Sequence, residues 1–221
     1  RLVALLLDRV PQVRLRLGSV EATEVDDDLL DLLATTGGKL APHLHMPLQS
    51  GSDAVLAGMR RWHTREQYRR RTWDIVERVG DMGLGADLIT GFPGERDEHH
   101  AETRALVEEL PFTYLHVFPF SPRDGTAAAD LPDTVPQRVA GERSRELRQL
   151  AAEKGREYRA LRVGQRARVV LERQGATALT GDYLKVAVPA PPATPGGLLD
   201  GTLRGHEGHL YIAWPRPIPS N

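Results

Sequence analysis

The sequence predicts an α/β unit followed by a small all-β barrel, and three observations carry that reading. Strand-like and helix-like segments alternate through the first two thirds of the 221 residues. From Gly164 onward the helical period gives way to five short runs separated by Gly and Pro. The composition, 40% hydrophobic and 27% charged, has the balance of a folded globular chain, and with only 5% aromatics its core is built from Leu, Val and Ala.

Taken in order, residues 13–17 alternate apolar Val13, Leu15 and Leu17 with Arg14 and Arg16, the period of a strand. A helix follows. Thr23 and Asp26 have capping-box spacing, Leu29, Leu30, Leu32 and Leu33 supply a buried face, and Gly37-Gly38 ends it. Residues 43–48 read as the next strand. Thr64 with Gln67 caps a second helix, whose inner stripe is Tyr68, Ile75, Val76 and Val79 and whose end is marked by Gly80 and Gly83. Residues 86–90 read as an apolar strand, Gly91-Phe92-Pro93-Gly94 as a turn, 97–110 as a helix and 112–120 as a strand. Strands joined through helices are parallel and buried, in a β/α barrel or an open sheet. Functional residues of such sheets sit just past the C-terminal ends of the strands. The candidate segments are therefore 18–22, 49–53, 91–95 and 121–126.

Beyond Pro132 and Pro136 an amphipathic helix runs to about residue 161, with Val139, Leu147, Leu150, Tyr158 and Leu161 inward. Residues 166–172, 176–180, 183–188, 198–204 and 210–213 then read as short strands of a small barrel of the OB-like kind. The division falls near residues 158–164, giving an α/β unit over 1–157 and a barrel over 158–221.

The net charge of −1 names no partner. Its distribution is uneven: Arg60, Arg61, Arg65, Arg69, Arg70 and Arg71 cluster, and so do Arg143, Arg145, Arg148, Lys154, Arg156, Arg159, Arg162, Arg166 and Arg168. Such runs usually form solvated helix faces. No stretch has the length of a membrane span or the form of a signal peptide, so no membrane partner is expected and the cytoplasm is the default compartment. There is no cysteine, which excludes disulfides and thiolate metal sites within this chain.

Five groups of residues could carry chemistry. Gln49-Ser50-Gly51-Ser52-Asp53 follows a strand and precedes a helix, a place suited to a small polar ligand or to a helix cap. Asp87-Leu-Ile-Thr-Gly-Phe-Pro-Gly-Glu95 ends a strand in two glycines that admit a ligand close to the backbone, or simply make a turn. His43 and His45 lie two apart on a strand, so they point the same way and could share a metal or line a lumen. The adjacent His99 and His100 read as surface residues. Arg123, in Ser121-Pro-Arg-Asp-Gly-Thr126, could clamp a phosphate or carboxylate with its planar guanidinium. In the barrel, Arg166, Arg168, Arg173 and Lys185 with Tyr183 combine cations and a ring, the chemistry that binds RNA phosphates and bases.

Four motifs in this order resemble one family: Val13-Arg-Leu-Arg-Leu-Gly-Ser-Val-Glu21, His43-Leu-His-Met-Pro-Leu-Gln-Ser-Gly-Ser-Asp53 with Met59-Arg-Arg61, Asp87 through Glu95, and Phe118-Pro-Phe-Ser-Pro-Arg-Asp-Gly-Thr126. They resemble the radical-SAM methylthiotransferases, and the tail from about Tyr158 to Trp214 resembles that family's TRAM domain. The segment from Leu110 to Ser121 is most similar to the threonylcarbamoyladenosine tRNA methylthiotransferases. The resemblance implies strands three to six of a partial radical-SAM β/α barrel, S-adenosylmethionine and [4Fe–4S] clusters as cofactors, and tRNA as partner. It implies addition of a methylthio group to C2 of a modified adenosine beside the anticodon. By position it carries cofactor roles to Ser19, Glu21, Gln49, Ser50, Gly91, Gly94 and Glu95, with Arg123 toward the substrate. The family's cluster-binding C-x-x-x-C-x-x-C loop has no counterpart here. Together with a start at Arg1, this marks the chain as a piece lacking its N-terminal half and inactive alone. Two further readings stay open: a tRNA-binding module without chemistry, and a metal-dependent barrel hydrolase using His43 and His45.

Overall fold

The computed structural model describes residues 1–172, 176–189, 198–206 and 208–214. The expected parallel layer is present. Strands β1 (His43–His45), β2 (Gly83–Thr90) and β3 (Tyr114–Pro119) pair in parallel in that order. Residues 13–17 are not a strand in their own right. They run beside β1 through isolated parallel bridges, Leu15 with Leu40 and Ser19 with His45. The flanking arginines leave the sheet: Arg14 donates to the carbonyls of Gly38 and Arg168, and Arg16 to that of Thr180.

Six helices surround this layer among the described residues: α1 (Leu2–Arg9), α2 (Asp27–Thr35), α3 (Asp53–Gly58), α4 (Arg65–Val79), α5 (Asp97–Glu109) and α6 (Gln137–Arg162). The Thr64–Gln67 capping box of α4 forms in full. The one expected at Thr23 does not. Residues Ala22–Glu24 make a 3-10 turn, and α2 starts beyond it, because the Asp26 carboxylate accepts the Leu29 N–H at 2.8 Å. Leu44, Met46 and Leu48 from the β1 region and Leu84 and Leu88 from β2 pack against Leu30, Tyr68, Ile75 and Leu106. Each such buried aliphatic side chain contributes roughly 1.5–3 kcal/mol.

The buried face of α6 is Ala140, Arg143, Ser144, Leu147, Ala151, Gly155 and Arg162. Leu161, expected inward, is 71% exposed. A stripe that passes through 151 and 155 reaches 162, and its neighbour lies about 100° round the helix. The cations of this region are also not one solvated face. Arg143 pairs with Glu95 and Asp97, Arg148 donates to the Val117 carbonyl, and Lys154 to that of Glu108. Nor is His100 a surface residue: it is buried, 2.8 Å from Glu146. Its neighbour His99 accepts the Arg96 N–H.

Five strands, β4 (Arg166–Leu171), β5 (Thr177–Thr180), β6 (Lys185–Ala187), β7 (Leu198–His206) and β8 (His209–Ala213), close into a barrel in the order β4-β5-β6-β8-β7. All pairs are antiparallel except β6 with β8. Val169, Ala178, Val186, Leu203 and Ile212 fill it. Asp182, 3% exposed, fastens the barrel to α6. It takes Arg162 Nε at 2.9 Å and the Tyr158 hydroxyl at 2.7 Å. Among the described residues no helix is long and apolar enough to cross a membrane.

Candidate functional site

The strand ends gather around Gln49. Its φ is +67°, a left-handed conformation that costs a residue with a side chain about 1–2 kcal/mol. Two hydrogen bonds to β2 hold it there: its N–H donates to the Asp87 carbonyl at 2.8 Å and its carbonyl accepts the Ile89 N–H at 2.9 Å. Two clefts adjoin at Gln49 and Ile89. One, of about 350 Å³, is walled by Met59, Arg61, Phe92 and Leu131. The other, of about 570 Å³, is walled by Asp87, Phe118, Phe120 and Arg123. Arg123 thus joins the strand-end site, as its position after the last strand suggests. Ser19 is exposed and bridges to His45. Glu21 lies 2.5 Å from Arg61 and so orients a cation on the first cleft's wall.

Gly91 and Glu95 build the turn beside these clefts. Gly91 has φ +74°, and a Cβ there would sit 2.3 Å from the Ala140 Cβ, so only glycine lets α6 approach. The Glu95 side chain is 1% exposed. It accepts the Gly91 N–H at 2.5 Å and Arg143 Nη1 at 2.8 Å. Ser50 is equally sealed: its hydroxyl lies 3.2 Å from that of Thr103 and accepts the Ser52 N–H. Both residues, placed at the mouth by position in the sequence, turn inward and hold the loops that shape it.

A ladder of rings runs along one face of the sheet. Gly85 leaves the room: a Cβ there would be 2.0 Å from the Tyr114 ring. The Tyr114 hydroxyl lies 2.8 Å from His43 Nε2 and 3.2 Å from His45 Nδ1. His43 also packs on Tyr183 of the small barrel, at 4.6 Å between centroids. Burial, and then the charges of Arg16 and His45, lower the His43 pKa to about 3. Burial, and then Tyr183, push the Tyr114 phenol up. The two histidines do point the same way, but they do not share a ligand set. His43 is committed to Tyr114, and His45 is grouped instead with Asp87 and His116. Spacing along the chain alone does not single out His116. The period-2 placement of 114, 116 and 118 on β3, opposite Asp87, is the signal that finds it.

On the small barrel, Arg166 and Arg168 meet Arg204, Trp214 and Asp200 around a cleft of about 500 Å³. Arg168 pairs with Asp200 at 3.0 Å and Lys185 with Glu172 at 2.9 Å. Tyr183 is 43% exposed but carries the Arg16 guanidinium over its ring, so most of its contacts lie at the joint with the α/β layer. Arg173 lies outside the described residues.

The radical SAM superfamily profile matches residues 7–107. The threonylcarbamoyladenosine tRNA methylthiotransferase of Treponema pallidum is 37% identical over 187 residues, covering 85% of this chain and 38% of that protein. The tRNA-2-methylthio-N(6)-dimethylallyladenosine synthase of Syntrophotalea carbinolica is 37% identical over 185 residues, covering 80% and 42%. Over most of its length the chain is thus similar to the radical-SAM methylthiotransferases. It spans less than half the length of these relatives. The fold of coproporphyrinogen III oxidase (HemN) from Escherichia coli is also similar, with TM-score 0.56 at 14% identity over 95% of this chain and 55% of that one. The profile ends within α5, so β3 and the small barrel lie beyond it.

Proposed function

We propose that the chain is the C-terminal part of a tRNA methylthiotransferase that adds a methylthio group to C2 of N6-threonylcarbamoyladenosine beside the anticodon. In this reading residues 1–157 belong to the partial radical-SAM barrel, and the five-stranded barrel is a TRAM domain over 158–221. The observation that carries it is the 37% identity maintained over 85% of the chain with a protein of that name. Relatives named for the dimethylallyl substrate are just as similar, at 37%. The choice of substrate therefore rests on the segment from Leu110 to Ser121.

The strand-end clefts fit S-adenosylmethionine. They offer the Gln49 side-chain amide and an apolar wall of Ile89 and Phe92, with Gly91 and Gly94 keeping the neighbouring turn open. Ser19 and Glu21 flank the mouth, while Ser50 and Glu95 hold its loops. When bound, S-adenosylmethionine supplies the methyl and radical chemistry, and this chain's residues bind, orient and exclude water. A [4Fe–4S] cluster does not fit the residues present, since its irons take thiolates and the chain has no cysteine. Alone, the chain is therefore not catalytically competent. Transfer RNA lies over Arg166 and Arg168, reached also by Lys185 and the exposed part of Tyr183, with Arg123 toward the modified nucleotide.

The test begins with the coding DNA upstream of Arg1. If it runs in frame into a C-x-x-x-C-x-x-C segment, the whole product is incubated with reductant, S-adenosylmethionine and tRNA, and nucleosides are read by mass spectrometry. A methylthio adduct on threonylcarbamoyladenosine is expected. An adduct on the dimethylallyl nucleoside instead would move the substrate, and no adduct would overturn the reading. The absence of cysteine favours one second reading, a tRNA-binding module without chemistry. A stop codon just upstream would take catalysis off the table and make this the leading reading.

A further inference from the structure

The geometry points to a divalent metal site formed by His45, Asp87 and His116 on the exposed side of the β1-β2-β3 sheet. One potential ligand atom from each of the three side chains lies within 4.8 Å of the others. The strand register makes the grouping: Asp87 and His116 are partners across β2 and β3, and His45 ends β1 opposite Gly85. His45 Nε2 is 3.2 Å from Asp87 Oδ2. Two such ligands held about 2.0–2.2 Å from one ion in tetrahedral geometry stand roughly 3.3–3.6 Å apart, so this pair is within about 0.1 Å of the spacing for sharing a cation. Among the described residues Asp87 has no lysine or arginine partner, and the carboxylate charge is left to His45.

The hydrogen bonds behind the site supply a second argument. The Tyr114 hydroxyl touches His43 Nε2 and His45 Nδ1 but can donate only one proton. If it donates to His45, then His45 Nε2–H donates to Asp87. If it donates to His43, then His45 donates from Nδ1 and its Nε2 lone pair faces the carboxylate. Two acceptors at 3.2 Å repel unless a cation lies between them. Metal binding selects this second arrangement, with the His45 proton on Nδ1 and the Nε2 lone pair on the ion, and Tyr114 fixes that tautomer as an outer-shell partner does. The side chains of His45 and Asp87 are 11% and 29% exposed, whereas His116 is exposed and opens the site to solvent. Two imidazoles and one carboxylate suit a first-row cation such as Zn²⁺, Co²⁺ or Fe²⁺, with positions left for water or a ligand.

The test uses the 221-residue chain, stripped of metal and titrated with Co²⁺, with circular dichroism confirming the fold of every variant. One equivalent is expected, with visible d–d bands that Zn²⁺ abolishes. His116→Ala and Asp87→Asn should each weaken binding at least about tenfold, and Tyr114→Phe should weaken it as loss of an outer-shell bond does, by about tenfold or more. His99→Ala should bind as the parent does. A folded chain that takes up no Co²⁺, or a His116→Ala chain that binds as tightly as the parent, would overturn the site. Because the readout is metal uptake, its failure leaves the proposed tRNA chemistry untouched, and the converse holds.

Discussion

Arg143 Nη1 lies 2.8 Å from Glu95 Oε2, and the two side chains are 8% and 1% exposed. This pair clamps α6 onto the turn after β2, since the same carboxylate oxygen accepts the Gly91 N–H. Removing one member leaves the other charge buried. Glu95→Ala should therefore cost about 3 kcal/mol, the low end of the usual range, because Asp97 still holds Nη2 at 2.7 Å. Glu95→Gln keeps an acceptor for Gly91 and should cost less. Urea midpoints for the two variants check both the size and the order.

Two glycines of the same turn separate crowding from backbone strain. Both have positive φ, +74° at Gly91 and +84° at Gly94. A Cβ at Gly91 collides with Ala140, whereas nothing stands within 4 Å of one at Gly94. Gly94→Ala should cost about 1–2 kcal/mol, the price of the left-handed conformation alone. Gly91→Ala should cost about 1–3 kcal/mol more, because α6 must be displaced. Equal losses in thermal or urea unfolding would show that α6 yields freely.

Parts of this architecture are legible in the sequence for plain reasons. The Thr64–Gln67 cap is local, so spacing alone reveals it. The barrel strands alternate with period 2, and their closure follows from number and brevity. What the sequence hides depends on contacts made at long range. Arg14 and Arg16 look like the solvent side of a strand, yet they bond carbonyls of residues 168 and 180 in the barrel. Glu95 and Ser50 look like ligand contacts, but partners on α6 and α5 draw them inward. His116 becomes a candidate only once register sets it beside Asp87.

The burial of His43 should appear in the pH dependence of stability. Its pKa of about 3 in the folded chain lies below the ordinary 6.5. Between those values the unfolded chain binds more protons, so stability rises with pH there. Equivalently, stability is lost as pH falls from 6.5 toward 3, by at most about 1.4 kcal/mol per pH unit from this group. Urea midpoints at pH 7, 6 and 5 should fall more steeply for the parent than for His43→Gln, which has no imidazole to protonate. Parallel slopes would mean that His43 titrates normally in the fold.

Arg168 and Arg166 stand on one strand of the barrel but differ in charge available to a ligand. Arg168 is paired with Asp200 at 3.0 Å, and among the described residues Arg166 forms no ion pair. If tRNA phosphates lie on this face, each free cation contributes about 0.9 to the slope of log affinity against log salt. Arg166→Ala should therefore weaken binding of an anticodon stem-loop and lower that slope by about 0.9. Asp200→Asn should do the opposite, because it releases Arg168 and removes a repelling carboxylate. Fluorescence anisotropy from about 50 to 200 mM salt measures both. Opposite changes in the two variants would place RNA on the cleft between Arg166, Asp200 and Trp214. Unchanged slopes in both would remove this face from the RNA path and leave Lys185 and the neighbourhood of Tyr183 as the contact surface.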